Sequence, residues 1–467
     1  MKILLINPPY ASLKKINQHI LSLSLPYLAA YLNQQGIVAK YINAEQTSMK
    51  NYFWKSAHEI YNHKIQKIYH KNLNNPNFII WQMIKKEILL FKPDLVGITS
   101  TTSSHDSAEK TAQIVRKILP QARIVYGGPH ATAKYKELVY NDLFDFIVRG
   151  EGEVTFYQLS KSLDLKEDLI KVNGLSYKTE SRVVHNPNRS NIVNLDSIPS
   201  PQSFYDISKA RYSCFSVITS RGCNNNCYYC ATPFLWPGLK VRSIDNVIEE
   251  LKEGIRVHKT RHVFFLDANF NFSKERVIKL CNSIIDEKLN LVWYALCNLN
   301  VIDEELAQIM KKSGCYEIYV GVEAGDDKTM KDINKKIKID EIEKSISILK
   351  KTGILCNAFI MYGLPNQSIN SMKATNRLLR QIKFDGISPS MFFPIPGSKF
   401  YETIMSKNET YLSDSDCSFN DFKSSFQYHN ENKEFVSVIK NLKMILLKKK
   451  FGLFLKRIFI KFNLFKH

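Results

Sequence analysis

Short apolar runs alternate with amphipathic helical stretches along nearly the whole chain, and this alternation limits the fold more than any other feature. In the first third, KILLIN (2–7) reads as a strand and LSLPYLAAYLNQQG (23–36) as a helix closed by Gly36. PDLVGITS (93–100), ARIVYGG (122–128) and FDFIVRGEGE (144–153) read as further strands, with the helical DSAEKTAQIVRKILP (106–120) between the first two. Strands this apolar are buried on both faces, and with helices between them they predict a doubly wound parallel sheet in an α/β domain. Ligands of such sheets sit beyond the carboxyl ends of the strands. Those ends carry Asn7-Pro8-Pro9, Thr99-Ser100-Thr101, Gly127-Gly128-Pro129 and Gly150-Glu151-Gly152. Small residues there let a large ligand approach the backbone, and they serve equally well as plain strand-to-helix turns. Residues 45–90 interrupt the alternation with a polar, aromatic and helical insertion of no evident role.

A second series follows. YSCFSVIT (212–219), HVFFLD (262–267), NLVWYAL (290–296), YEIYVGVEAG (316–325), CNAFIMYGLP (356–365) and GISPSMFFPIPGS (386–398) read as strands separated by amphipathic helices. Six β/α units make a partial (β/α)6 barrel, with chemistry expected at the carboxyl ends of its strands. Asp267, Asn269 and Glu323 are the polar candidates by position, a strand-end charge exposed to solvent being the alternative for Glu323. The Pro- and Ser-rich NLDSIPSPQSFYDI (194–207) reads as the link between the two series.

The first barrel strand leads into ITSRGCNNNCYYCATP (218–233), which places Cys223, Cys227 and Cys230 in a C-x3-C-x2-C spacing. A structural zinc wants four protein ligands, and a disulfide would leave one thiol over. Thiolates are the natural ligands of an iron–sulfur cluster, and three of them leave one iron of a four-iron cluster open to a small molecule. The weight falls on a cluster, with zinc or an unmetallated knuckle as alternatives. Cys214, Cys281, Cys297, Cys315, Cys356 and Cys417 are scattered singly, mostly in apolar runs, and read as small buried hydrophobes.

At 467 residues the chain is long for one core. Four segments are expected: a ligand-binding α/β domain (1–165), a connecting segment (166–207), the barrel (208–400), and a polar then basic helical extension (401–467). No apolar run is long enough for a transmembrane helix. MKILLINPPY breaks at Asn7-Pro8-Pro9 without a cleavage site, so it reads as a buried strand, not a signal peptide. A cytoplasmic location is expected, and nine cysteines there do not form a disulfide framework. The net charge of +21 is concentrated toward the end, with no acidic residue after Glu434. The tail KNLKMILLKKKFGLFLKRIFIKFNLFKH interleaves Lys with Phe, Leu and Ile, as a helix packed on the barrel or one lying at the inner membrane face would. No RNA-binding module is visible, so nucleic acid is not the expected partner.

The cysteine spacing, with Gly222 before it and Tyr229 as the aromatic of C-x3-C-x-aromatic-C, resembles the radical S-adenosylmethionine (SAM) superfamily. The resemblance implies a [4Fe-4S] cluster on Cys223, Cys227 and Cys230 whose fourth iron takes the methionine part of SAM. It places Tyr229 beside the adenine, Asp267 and Asn269 at the SAM ammonium, Glu323 at the ribose, and the backbone of Gly363-Leu364-Pro365 beneath the adenine. The usual Gly-Gly-Glu of the second strand is LDANF in this chain. VGITSTTSS followed by IVYGGPHAT resembles the cobalamin-binding Rossmann-like domain, which puts Thr99, Ser100, Thr101, Gly127 and Gly128 around the corrin's nucleotide tail. The D-x-H-x-x-G loop that supplies a cobalt ligand in many members is replaced by NPPYASLKK, so cobalamin is expected without a protein histidine on cobalt. His105 and His130 lie near the turns and read as solvated loop residues.

The two together resemble the cobalamin-dependent (class B) radical SAM enzymes. That family implies reductive cleavage of SAM to a 5′-deoxyadenosyl radical, hydrogen abstraction from an unactivated carbon, and transfer of a methyl group carried by cobalamin. Relatives that cyclise or rearrange their substrates are the alternative. A tRNA methylthiotransferase would carry three further N-terminal cysteines, and no cysteine precedes Cys214. A non-catalytic cofactor-binding sensor would leave the barrel without purpose. The implied partners are an electron donor such as flavodoxin or ferredoxin and a small-molecule or lipid substrate.

Overall fold

The computed structural model describes residues 1–15, 21–45, 63–205, 207, 214–406, 434–435 and 437–446. Its first sheet has seven strands: β1 (Ile3–Asn7), β2 (Ala39–Asn43), β3 (Leu95–Thr99), β4 (Arg123–Gly127), β5 (Phe146–Val148), β6 (Leu175–Lys178) and β7 (Val183–His185). They run in the order β2-β1-β3-β4-β5-β6-β7, the first five parallel and the last two antiparallel. Leu4, Ile6, Val96, Ile98 and Ile124 pack on one face, and Ile3, Leu5, Leu95 and Val125 on the other. This two-faced burial is what continuous apolar strands require.

Two elements differ from the sequence expectation. AKYIN at 39–43 forms the edge strand β2; its half-buried Lys40 and Tyr41 carry no run of apolar residues to announce it. The hairpin β6–β7 continues the sheet beyond residue 165, inside the stretch expected to be connecting segment. Part of the 45–90 insertion is a helical pair, His63–Asn74 and Ile79–Phe91, which buries Tyr69, Trp81 and Ile84 against the sheet.

The second sheet holds β8 (Phe215–Val217) and, after the small hairpin β9 (Ser220–Arg221) and β10 (Lys240–Val241), β11 (His262–Phe265), β12 (Val292–Cys297), β13 (Cys315–Glu323), β14 (Leu355–Tyr362) and β15 (Gly386–Met391). The six long strands are all parallel and adjacent in chain order from β8 to β15, as the β/α alternation predicts. The two ends of the sheet do not pair, so the barrel is open. Its helices start on capping side chains: Ser243, Ser273, Asp303, Asp326 and Ser368 each accept a backbone N–H of the first turn. Residues 437–446 are helical and bury Val438 and Leu442 on the barrel, with Asn376 Nδ2 donating to the Val438 carbonyl at 2.9 Å. The rest of the basic tail, 447–467, lies outside the described residues.

Candidate cofactor and active site

β9 hands the chain to the cysteine loop. Gly222 has φ +91°, and a Cβ there would lie 1.9 Å from the Gly238 carbonyl, so the approach to Cys223 is fixed by backbone packed on backbone. Cys223, Cys227 and Cys230 are free, half-buried thiols. Backbone N–H groups of Asn225 and Thr232 point at the Cys223 and Cys230 sulfurs, each at 3.4 Å. No three His, Cys, Asp or Glu side chains among the described residues gather as a single ion requires. A four-iron cluster instead takes each thiolate on its own iron.

A turn distant in sequence braces this loop. Tyr228 N donates to the Ile333 carbonyl at 3.1 Å, and Asn334 Nδ2 to the Asn226 carbonyl at 2.7 Å. The next residue, Lys335, places its ammonium 3.6 Å from Glu323 Oε1. Glu323 ends β13 at a register shift with φ +62°, which turns its carboxylate inward, where Tyr229 donates its hydroxyl at 2.9 Å. Burial pushes the Glu323 carboxyl above its usual range against the pull of Lys335 and Tyr229, and burial likewise raises the Cys227 thiol. Glu323 is therefore a buried, partnered carboxylate, not a solvated strand end.

Asp267 has another task than contacting a ligand. It is fully buried, and its carboxylate accepts Thr219 N at 3.0 Å, Thr219 Oγ1 at 2.7 Å and the Ser220 hydroxyl. These bonds anchor the segment that delivers Arg221 and the cysteine loop. In this arrangement the Asp267 carboxylate is enclosed by its protein partners and leaves no surface open. Asn269 does remain a candidate: its Nδ2 lies 3.4 Å from Asn224 Oδ1, and its own Oδ1 is buried without a hydrogen-bond partner. In the Gly363-Leu364-Pro365 turn, the N–H groups of Gly363 and Leu364 are taken by Gln367 Oε1 at 2.8 and 3.3 Å.

A cavity of about 570 Å³ opens between the two domains. One wall is the carboxyl ends of the first sheet, with Thr99, Ser100, Thr101, Gly127 and Gly128 all lining it. The opposite wall includes Gly222, Leu266 and Ala268 beside the cysteine loop. Gly128 has φ +94° and ψ −174°, and Ser100 N donates to the Gly127 carbonyl at 3.1 Å, so the two turns are stitched together. After β1, the N–H groups of Tyr10, Ala11 and Ser12 converge on the Glu45 carboxylate at 2.7–2.9 Å. Burial raises that carboxyl, and the three backbone donors partly offset the rise.

The two histidines are not solvated as their loop positions suggested. His130 is buried, with Nδ1 3.2 Å from Thr102 Oγ1, and its pKa is lowered to about 3, first by burial and then by His105 and Lys134. The His105 ring lies 4.4 Å from it, tilted by 32°, and meets Tyr126 OH at 2.9 Å through Nδ1. Among the described residues no histidine lines the cavity.

Residues 217–379 match the radical SAM superfamily, and residues 12–160 match the B12 binding domain. The uncharacterized methyltransferase PH0819 of Pyrococcus horikoshii is 33% identical over 337 residues, spanning 70% of this chain and 72% of that protein. The chain belongs to the radical SAM superfamily, in the branch that carries a B12 binding domain. The anaerobic magnesium-protoporphyrin IX monomethyl ester cyclase of Rubrivivax gelatinosus is 26% identical over 70% of this chain, which spans 61% of the cyclase's length. The same fold is found in TsrM, a radical SAM methyltransferase from Kitasatospora setae solved with cobalamin and a [4Fe-4S] cluster (TM-score 0.68, 16% identity, 87% of this chain and 78% of that one).

This radical SAM protein has residues that suit the cofactors of its family, which are a [4Fe-4S] cluster, SAM and cobalamin. The three thiolates suit the cluster. The orphaned Asn269 Oδ1 is an acceptor suited to an ammonium donor, since leaving it bare costs about 1–3 kcal/mol. The cavity lies within the roughly 300–1,000 Å³ range of small-molecule and cofactor sites. Its Gly127-Gly128 edge presents bare backbone. Lys335, Glu45 and Gln367 were not singled out from the sequence; each acquires its role only through partners brought close by the fold.

Proposed function

We propose that this chain is a cobalamin-dependent radical SAM methyltransferase acting on an unactivated carbon of a small-molecule or lipid substrate. One observation carries the reading: a single cavity has the strand ends of the B12 binding domain on one side and the approach to the three-cysteine loop on the other. Bound together, the family's cofactors supply hydrogen-atom abstraction and methyl transfer. On this reading Cys223, Cys227 and Cys230 hold the cluster, Asn269 accepts from the SAM ammonium, and Tyr229 and Glu323 orient the nucleoside end. Thr99, Ser100, Thr101, Gly127 and Gly128 cradle the corrin, and among the described residues no histidine ligates cobalt. The chain's share of catalysis is to fix these groups in register and keep water out. Asp267 and the Ile333–Lys335 turn do so by fixing the loop itself.

The cyclase relative supports a second reading, ring closure or rearrangement without methyl transfer. Anaerobic protein reconstituted with iron, sulfide and cobalamin, then given deuteromethyl-SAM, dithionite and extract of a strain lacking the gene, separates the two. Methyl transfer predicts 5′-deoxyadenosine together with a deuteromethylated product. A product of unlabelled mass favours ring closure or rearrangement, and absence of 5′-deoxyadenosine removes both. A flavodoxin or ferredoxin is the proposed physiological reductant. Among the described residues no helix is long and apolar enough to cross a membrane; association of the basic tail with a membrane surface is tested by liposome co-sedimentation with and without the residues after 434.

A further inference from the structure

Both domains build one corner of the cavity, and the corner is ionic. Arg221, two residues before Cys223, donates through Nη1 to Glu151 Oε1 at 2.8 Å and through Nη2 to Glu153 Oε1 at 2.6 Å. The three side chains are only 14%, 4% and 7% exposed. Glu151 belongs to the Gly150-Glu151-Gly152 turn at the end of β5, and its second oxygen accepts Ile192 N at 2.6 Å. Tyr27 lies under the guanidinium, 5.6 Å from ring centroid to Cζ. A guanidinium fork spanning two carboxylates is directional, and removing one member leaves a buried charge unpaired. Gly222, the one residue between Arg221 and Cys223, has its Cα hydrogen side pressed on the Gly238 carbonyl. A shift of Arg221 is therefore passed to the cysteine loop, because the backbone between them has no room to absorb it.

We infer that Arg221, Glu151 and Glu153 form a positioning clamp that couples occupancy of the cavity to the setting of the cysteine loop. Corrin seated on the Gly150–Gly152 turn sets the two carboxylates, these set Arg221, and Arg221 sets the loop that receives SAM. The inference rests on the cofactor assignment proposed above. Binding linkage makes the effect reciprocal: SAM must alter corrin affinity by the factor with which corrin alters SAM affinity.

The test is calorimetric titration of anaerobic, cluster-reconstituted full-length protein with SAM, with and without hydroxocobalamin, and with the corrin, with and without SAM. Wild type is expected to show one common coupling factor, in the range of about 5–150 typical of linked sites. Glu153→Gln, Arg221→Gln and Arg221→Lys, which keeps the charge and loses the fork, are expected to bring that factor toward unity whatever happens to the separate affinities. Asp196→Asn removes a charge at a contact between linker and barrel away from the cavity, where Asp196 Oδ1 accepts Ser243 N at 2.9 Å and an amide oxygen can still accept it, and is expected to keep the wild-type factor. Hydrogen exchange on the wild type serves if the variants fold poorly: corrin is expected to slow exchange of the amides of residues 222–230. A coupling factor of unity in wild type with both ligands bound, an unchanged factor in the variants, its loss in Asp196→Asn, or unaltered exchange at 222–230 overturns the clamp. Failure of the corrin to bind overturns the functional reading as well, so the two failures are told apart.

Discussion

Gly128 and Gly150 end neighbouring strands at the cavity, and both have left-handed φ, +94° and +71°. Their surroundings differ sharply. A Cβ on Gly128 would lie 2.6 Å from Thr99 Oγ1, 2.8 Å from the Ser100 carbonyl oxygen and 3.1 Å from Ser100 N, whereas a Cβ on Gly150 would meet nothing within 4 Å. With ψ −174°, Gly128 also occupies a region that is essentially glycine-only, which costs another residue about 1–3 kcal/mol. Forcing a methyl group against backbone that cannot swing away adds about 1–3 kcal/mol. Gly128→Ala is thus expected to destabilise the first domain by about 2–6 kcal/mol, and Gly150→Ala by only the left-handed cost of about 1–2 kcal/mol. For a domain of this size about 1 kcal/mol moves the melting temperature by about 2–4 °C, so Gly128→Ala should melt on the order of 10 °C lower and Gly150→Ala a few degrees lower. Differential scanning calorimetry reads the difference, and absorbance of bound hydroxocobalamin reads the site. Equal shifts for the two variants, or a Gly128→Ala protein with wild-type melting and corrin binding, would refute the close approach of the two turns.

Other predictions test single features. In cluster-free protein, iodoacetamide at pH 8 should modify Cys223, Cys227 and Cys230 but not Cys281, whose buried thiol is pushed up to about 11 and is about a thousandth thiolate at that pH; mass mapping that finds Cys281 modified in native protein contradicts the packing. His130 is neutral in the fold and has a lowered pKa, so the unfolded chain binds the extra proton between pH 6.5 and about 3. Stability from His130 is full above pH 6.5 and falls by about 1.4 kcal/mol per pH unit below it. Urea titrations at pH 7 and pH 5 should show that slope reduced in His130→Asn, and an unchanged slope would remove His130 as its source. Tyr229→Phe takes a hydrogen bond from the buried Glu323 carboxylate and should cost about 1.5–3 kcal/mol; unchanged urea unfolding of this variant would count against the Tyr229–Glu323 bond.

Much of this was readable from the chain because its signals are local. Each long barrel strand is a near-continuous apolar run between amphipathic helices, and three cysteines within eight residues declare themselves. β2 escaped notice because an edge strand needs few apolar residues, and β6–β7 because a short hairpin in a polar stretch looks like linker. Site geometry was less legible for a different reason. Asp267 has the right position for a ligand contact, but Thr219 and Ser220, 48 and 47 residues earlier, fold back to consume its carboxylate. Glu323 finds Tyr229 across 94 residues, and Arg221 finds Glu151 across 70. Such partners are set by how strands and turns stack, which no spacing along the sequence encodes.

On the proposed function, one cavity brings the corrin and the three-cysteine cluster together. Electron paramagnetic resonance of reconstituted protein carrying cob(II)alamin and a reduced cluster tests it most directly. Wild-type spectra are expected to be broadened or split by mutual magnetic interaction, with the cobalt signal returning to its isolated form in Cys227→Ala, which lacks a complete cluster. Two unperturbed signals from fully loaded wild-type protein would contradict it.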